Sequence, residues 1–151
     1  WDVSSVENMH AMFSSTKFKG NISNWDVSNV RNMQALFCDS RFNGDISKWN
    51  VSKVENMSSM FCNTYFNGNL SSWDVSNVES MSYMFFNSNF DGDLSNWNTK
   101  TKNLKEIDNI FRNSKLHHKA RDIVKHWNCD DDVKNQLNPT KNKEHHILHF
   151  E

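Results

Sequence analysis

The apolar positions of this chain recur in fixed columns. Trp1, Trp25, Trp49, Trp73 and Trp97 stand 24 residues apart. Behind each follow Val6/Val30/Val54/Val78, Met9/Met33/Met57/Met81, Met12/Leu36/Met60/Met84, Phe13/Phe37/Phe61/Phe85 and Phe18/Phe42/Phe66/Phe90. Self-similarity at such a period marks a stack of repeats, in which each unit buries its apolar face against its neighbours. The fifth copy carries two extra residues within 99–103, which puts Leu104, Ile107, Ile110, Phe111 and Leu116 in the apolar columns. It has lost the glycine and most aromatics, as a terminal unit turning into a cap would.

Two periodicities alternate inside the unit. Ile22, Trp25 and Val27, set among short polar residues, predict a strand entry with Trp25 and Val27 on one face. Val30, Met33, Leu36 and Phe37 are spaced at threes and fours, one face of a short helix. Phe42 packs the return, and Gly44 supplies a turn. One short parallel strand and one short helix per 24 residues predict an α/β architecture, with strands on one side and helices on the other.

The run from Ile22 through Trp25, Val27 and Val30 to Met33 is similar to a leucine-rich-repeat strand pattern. The fuller string FNGDISKWNVSKVENMSSMF, residues 42–61, resembles the BspA-like bacterial surface-protein repeat, also known as a mycoplasma-type lipoprotein repeat. The likeness covers residues 1–116. One departure is that Val30 and its equivalents stand where an ordinary leucine-rich repeat carries asparagine. The resemblance implies a right-handed, non-catalytic solenoid displayed at a cell surface and used for adhesion or protein–protein contact. Such repeats also occur in intracellular proteins of some eukaryotes and large viruses, so a cytoplasmic protein-interaction scaffold is the alternative.

After Leu116 the pattern changes. Leu116, Ala120, Ile123, Val124 and Trp127 form an amphipathic helical stripe, and Asp130–Asp132 can cap a second short helix through Val133 and Leu137. The expected organisation is therefore a five-repeat solenoid over residues 1–116, a helical C-terminal cap over 117–138 and a polar tail over 139–151.

Composition adds exclusions. With a formal net charge of −1 and basic residues interspersed among acidic ones, no basic stripe suggests nucleic acid. No apolar run reaches the ~20 residues of a membrane helix. The chain opens within a repeat, with neither an initiator methionine nor a signal peptide. It is therefore expected to be a fragment or processed product whose targeting segment, if any, has been removed. Cys38, Cys62 and Cys129 form no disulfide framework; Cys38 and Cys62 share a column, where a bridge is conceivable and two reduced thiols are the favoured reading.

The Trp column could be an exposed platform for sugars, but an uncovered row of rings at ~150–250 Å² each would make a large sticky patch, which favours a buried ladder. The Met columns read as soft core filler. Asp2/Asp26/Asn50/Asp74/Asn98 form a polar column in which a calcium ladder is the sharp alternative to ordinary surface, and recurrence only once per 24 residues argues against it. Arg31 can sit between Glu7 and Glu55. His117, His118, His126, His145, His146, His149 and Cys129 raise a metal site, yet no CxxC pair or HExxH is present, and a solvated tail is favoured.

Nothing converges on catalysis: there is no nucleophile elbow or phosphate loop, and the acids recur as ladders rather than as one unique pair. No enzyme activity, cofactor or metal is expected. The candidate binding surface is the set of variable exposed positions Lys17, Arg41, Tyr65, Asn89 and Lys48, together with Asp26 and Asp74. The expected partner is a protein or host-surface ligand. Self-association through the open N-terminal repeat is a further expectation, because an unpaired edge invites pairing.

Overall fold

The computed structural model describes residues 1–137. Successive repeats lie on one another in register. Phe13, Phe37, Phe61, Phe85 and Phe111 stack with ring centroids 5.8 Å apart. Phe18, Phe42, Phe66 and Phe90 form a second column at 6.3–6.4 Å. The two columns meet face to face at 4.3 Å in Phe37–Phe42 and Phe61–Phe66. Around them Val30, Met33, Leu36 and their equivalents in the third and fourth repeats are fully buried, as are Ile107, Ile110 and Phe111 of the fifth repeat, whereas Val6 is half-buried and Met12 exposed in the first.

The expected α/β leucine-rich-repeat solenoid is not what the chain builds. No continuous strand forms among the described residues, only isolated parallel bridges Asn8–Asn32–Asn56–Ser80–Glu106. No helix lies within the apolar columns of the repeats either; apart from one 3₁₀ turn, Ser95–Trp97, helical segments are confined to residues beyond Leu116. The two expected elements fail for different reasons. The segment read as a strand is folded into turns: Trp25 N–H donates to Ile22 C=O and Val30 N–H to Val27 C=O. The segment read as a helix carries Ala35 at φ 54° and Asp39 at φ 57°, a left-handed conformation that stops an α-helix.

That second segment is where the repeats join. Met9, Ala11, Phe13 and Ser15 donate their amides to the carbonyls of Asn32, Gln34, Leu36 and Cys38 in the next repeat, at 2.8–3.0 Å. The intervening amides turn inward: His10 bonds to Asn8 Oδ1, Met12 to Met9 C=O, and Ser14 to Ala11 C=O. The same bonding is repeated through all four junctions, down to Asn87 N–H on Arg112 C=O. Because alternate amides are consumed by local turns, regular β pairing cannot propagate, although the backbone donors are satisfied. Apolar spacing at threes and fours is thus produced by consecutive turns rather than by a helix.

The tryptophans form an interior column from the third repeat onward. Trp49, Trp73 and Trp97 are buried and donate their indole N–H to the carbonyls of Ile22, Ile46 and Leu70, at 3.0–3.2 Å. Trp25 is half-buried, and Trp1, 92% exposed, stacks on it. Trp127 continues the column beyond Trp97, with ring centroids 6.3 Å apart.

The C-terminal segment is shorter in helix than expected. A 3₁₀ turn, His117–Lys119, leads into α1, Ala120–Val124, which ends before Trp127. Helix α2, Asp131–Lys134, follows Asp130, whose side chain makes no cap; its backbone carbonyl instead accepts from Val133 and Lys134. A 3₁₀ turn, Asn135–Leu137, closes the described chain. This segment completes the last repeat by side-chain mimicry. Ile107 N–H donates to Gln136 Oε1, as Met9 N–H does to Asn32 C=O, and Gln136 Nε2 donates to Lys105 C=O, as Arg31 N–H does to Glu7 C=O. Asn128 Oδ1 accepts from the amide and hydroxyl of Thr101, a contact with no counterpart in the earlier repeats.

Candidate functional site

The polar columns are fixed before any ligand is considered. Asp26 Oδ1 accepts from the Ser28 amide at 3.0 Å and its hydroxyl at 2.6 Å, and the same short loop recurs at Asp2–Ser4, Asn21–Ser23, Asp45–Ser47 and Asp74–Ser76. Asp and Asn favour these positions because their side chains reach the backbone two residues on. The Ser28 hydroxyl, then its amide, holds the Asp26 carboxyl below the ordinary carboxylate range, and Ser76 does the same to Asp74. Asp26 and Asp74 stand in one column with Asn50 between them, each occupied by its own loop.

Lys17, Arg41 and Tyr65 are exposed and Asn89 half-buried. They form one column, tied to its neighbours where Arg41 N–H donates to Thr16 C=O and Asn89 N–H to Thr64 C=O. Tyr65 is 67% exposed, and among the described aromatics only Trp1 is more so. Lys48 is exposed in a separate column, where its charge lowers the Asp45 pKa as a minor contribution after the bonds from Ser47. The structure therefore brings together Lys17, Arg41, Tyr65 and Asn89, and leaves Lys48 and the Asp26/Asp74 pair apart from them in the repeat. Arg31 pairs with Glu55 at 3.2 Å, and Lys105 with Glu79 at 3.4 Å, both at exposed positions.

The three cysteines are free and buried. Contact with the Cys62 thiol first, and burial second, push the Cys38 thiol above its ordinary range, and burial does the same to Cys129. Neither is poised as a nucleophile. No group of three or more His, Cys, Asp or Glu side chains that could hold a metal ion occurs among the described residues. His145, His146 and His149, like the tail itself, lie outside those residues.

A cleft of about 510 Å³ that sequence reasoning missed lies between the turn after Phe90 and α1. Leu94, Leu116 and Ile123 line it with Asp91, Asp93, Asp122, Lys119 and His126. Asp93 is held by Ser95 and Asp122 by Lys125, so its charges are mixed and partly engaged. No sequence signal marks the cleft, because its walls come from a repeat and from the segment that interrupts the repeats. Gln136 and Asn128 were also missed; the Gln136 side chain replaces backbone groups of a following repeat and Asn128 ties the closing segment to Thr101, neither of which leaves a trace in the columns.

Stacked columns of aromatics enclosed by self-capped polar loops define a stacked-repeat protein. The chain belongs to the family described as Mycoplasma protein of unknown function, DUF285, whose model matches residues 1–89 and again residues 63–147. This supports the mycoplasma-type resemblance at family level and leaves its leucine-rich-repeat part unsupported. Neither the curated proteins nor the solved structures give a match. No helix among the described residues is long and apolar enough to cross a membrane.

Proposed function

We propose that this protein is a non-catalytic binding module, displayed at a cell surface, that engages a protein or host-surface ligand through the Lys17/Arg41/Tyr65/Asn89 column. The observation that carries this reading is the outward Tyr65 beside Arg41. Tyrosine and arginine dominate interface energetics when a partner covers them, and here they stand in register on a rigid stack. The acidic columns, by contrast, each commit one carboxylate oxygen to their own loops.

Binding is expected to be distributed along the stack, so single alanine variants weaken it in steps. Arg41→Ala with Tyr65→Ala should reduce affinity for immobilised extracellular-matrix proteins or intact host cells at least tenfold, about 1.4 kcal/mol. Thermal unfolding should stay unchanged, since both side chains are exposed. Full binding by the double variant would discard this surface. Protease treatment of intact producing cells should remove the protein, and complete protection would move it to the cell interior.

A further inference from the structure

The closing segment departs from the repeats at one place. Phe66 to Trp73 and Phe90 to Trp97 each span seven positions, whereas Leu116, in the Phe column, to Trp127 spans eleven. The extra residues are taken up by the His117–Lys119 turn and α1. Between them and the turn after Phe90 lies the cleft of about 510 Å³, a volume in the range of small-molecule sites. Two broken ladders show that the layers part here. Asn67 N–H donates to Asn43 Oδ1 and Asp91 N–H to Asn67 Oδ1, but His117, next in that column, gives its amide to Ser114 C=O. The Asp91 carboxylate thus accepts no hydrogen bond among the described residues. The indole N–H of Trp127, fully buried, has no partner among the described residues either, whereas Trp49, Trp73 and Trp97 bond to the carbonyls of Ile22, Ile46 and Leu70. The corresponding residue for Trp127 is Leu94, which lines the cleft.

We propose that this cleft is a binding site for a small amphipathic amine, a short hydrocarbon body that ends in a primary ammonium group. Buried Leu94 and Leu116 with half-buried Ile123 give an apolar wall for the hydrocarbon. Exposed Asp91 and Asp93 stand two residues apart on the facing turn, and neither pairs with a cation among the described residues. Asp93 commits Oδ1 to the Ser95 amide, and Asp122 is paired with Lys125. That leaves two unpaired carboxylates against Lys119, so the lining is acidic in balance. An anionic ligand meets this balance with the wrong sign. An ammonium group finds in Asp91 a carboxylate with its acceptor positions unspent, at a cavity wall where an ion pair is screened less than on open surface. Asn43 and Asn67 offer no such group, because each is uncharged and its oxygen is spent on the next layer. The site is separate from the Lys17/Arg41/Tyr65/Asn89 surface and does not rest on it.

The test is titration of the full chain with n-hexylammonium chloride, followed by amide chemical shifts, with sodium hexanoate at equal ionic strength as the control of opposite charge. Hexylammonium should shift the Gly92, Leu94 and Ile123 amides along one saturable curve, and hexanoate should not. Asp91→Asn installs the residue that Asn43 and Asn67 already carry in this column, so the layer keeps its fold. It should weaken binding by about fivefold, the size of a partly exposed ion pair. Lys119→Gln should tighten binding, and Arg41→Ala with Tyr65→Ala should leave it unchanged. Equal binding of hexanoate, shifts that never saturate and spread along the whole stack, or unaltered affinity in Asp91→Asn overturns the proposal. So does a dimer of the unliganded chain that shifts the same amides as protein concentration rises, because the cleft would then belong to a second copy.

Discussion

At the residue scale, glycine and the left-handed positions exchange their usual roles. The repeat glycines have no positive φ, whereas among the described residues ten non-glycines do, in the columns Ala11/Ala35/Ser59/Tyr83/Asn109 and Ser15/Asp39/Asn63/Asn87/Asn113. Asn is at ease in that conformation, and its column adds a side-chain ladder in which Asn63 donates to Asp39 and Asn87 to Asn63. Glycine is needed instead for space: a Cβ on Gly68 would stand 2.7 Å from the Phe66 ring, itself fully buried. Gly68→Ala should therefore destabilise by about 1–3 kcal/mol, read as an earlier urea midpoint with unchanged slope. A neutral result would show that the ring can move aside.

The aspartates of the short loops make a second residue-scale prediction. Their folded pKa values lie below the usual range because Ser hydroxyls and amides bond the carboxylate. The unfolded chain thus binds protons first on acidification. The stabilisation is complete above the ordinary carboxylate pKa of about 4 and is lost as pH falls through the lower folded values. Asp26→Asn should remove its share of this acid sensitivity and, with it, the stabilisation that the ionised carboxylate supplies at neutral pH, while the loop keeps its fold, because Asn50 already accepts the equivalent Ser52 amide. Unfolding measured from pH 7 to pH 2 with an unaltered profile would contradict that.

At the scale of elements, the lesson is what apolar spacing does and does not encode. Which residues are buried was legible from the second repeat onward: there the Val, Met and Phe columns and Trp49 and Trp73 are interior, while Val6, Met12 and Phe18 of the first repeat and Trp25 are only partly covered. The conformation was not. Positions 30, 33, 36 and 37 fit a helix face, but the deciding information lies in residues such as Ala35, whose left-handed backbone no side-chain pattern announces. The exposed column Lys17/Arg41/Tyr65 was found from its variability, whereas the Gln136 closure could not be, since one amide side chain imitates a peptide group. Gln136→Leu leaves Ile107 N–H and Lys105 C=O unpaired, a loss of about 1–3 kcal/mol for a buried pair and less at this half-buried site. The Ile107 amide should lose exchange protection while the equivalent Met57 amide, bonded to Ser80, keeps its own. Equal protection of Ile107 in both proteins would remove Gln136 from this role.

For the whole molecule, the four outward peptide groups of each layer have a collective effect. In ordinary sheets neighbouring peptide dipoles alternate and nearly cancel. Here those linking Met9, Ala11, Phe13 and Ser15 to the following layer all point one way, and every later junction repeats the sense. Each contributes about 3.5 D, so the stack is polarised along its length, with its negative pole at the first layer and its positive pole at the last. An α-helix has the reverse sense relative to its chain direction. Formal charge does not add to this field: Lys17 and Lys19 of the first layer are matched by Asp2 and Glu7, and the aspartates of the closing segment, Asp122, Asp130, Asp131 and Asp132, by Lys119, Arg121, Lys125 and Lys134. The molecule thus offers an approaching ion two unlike poles, although its formal charge is only −1.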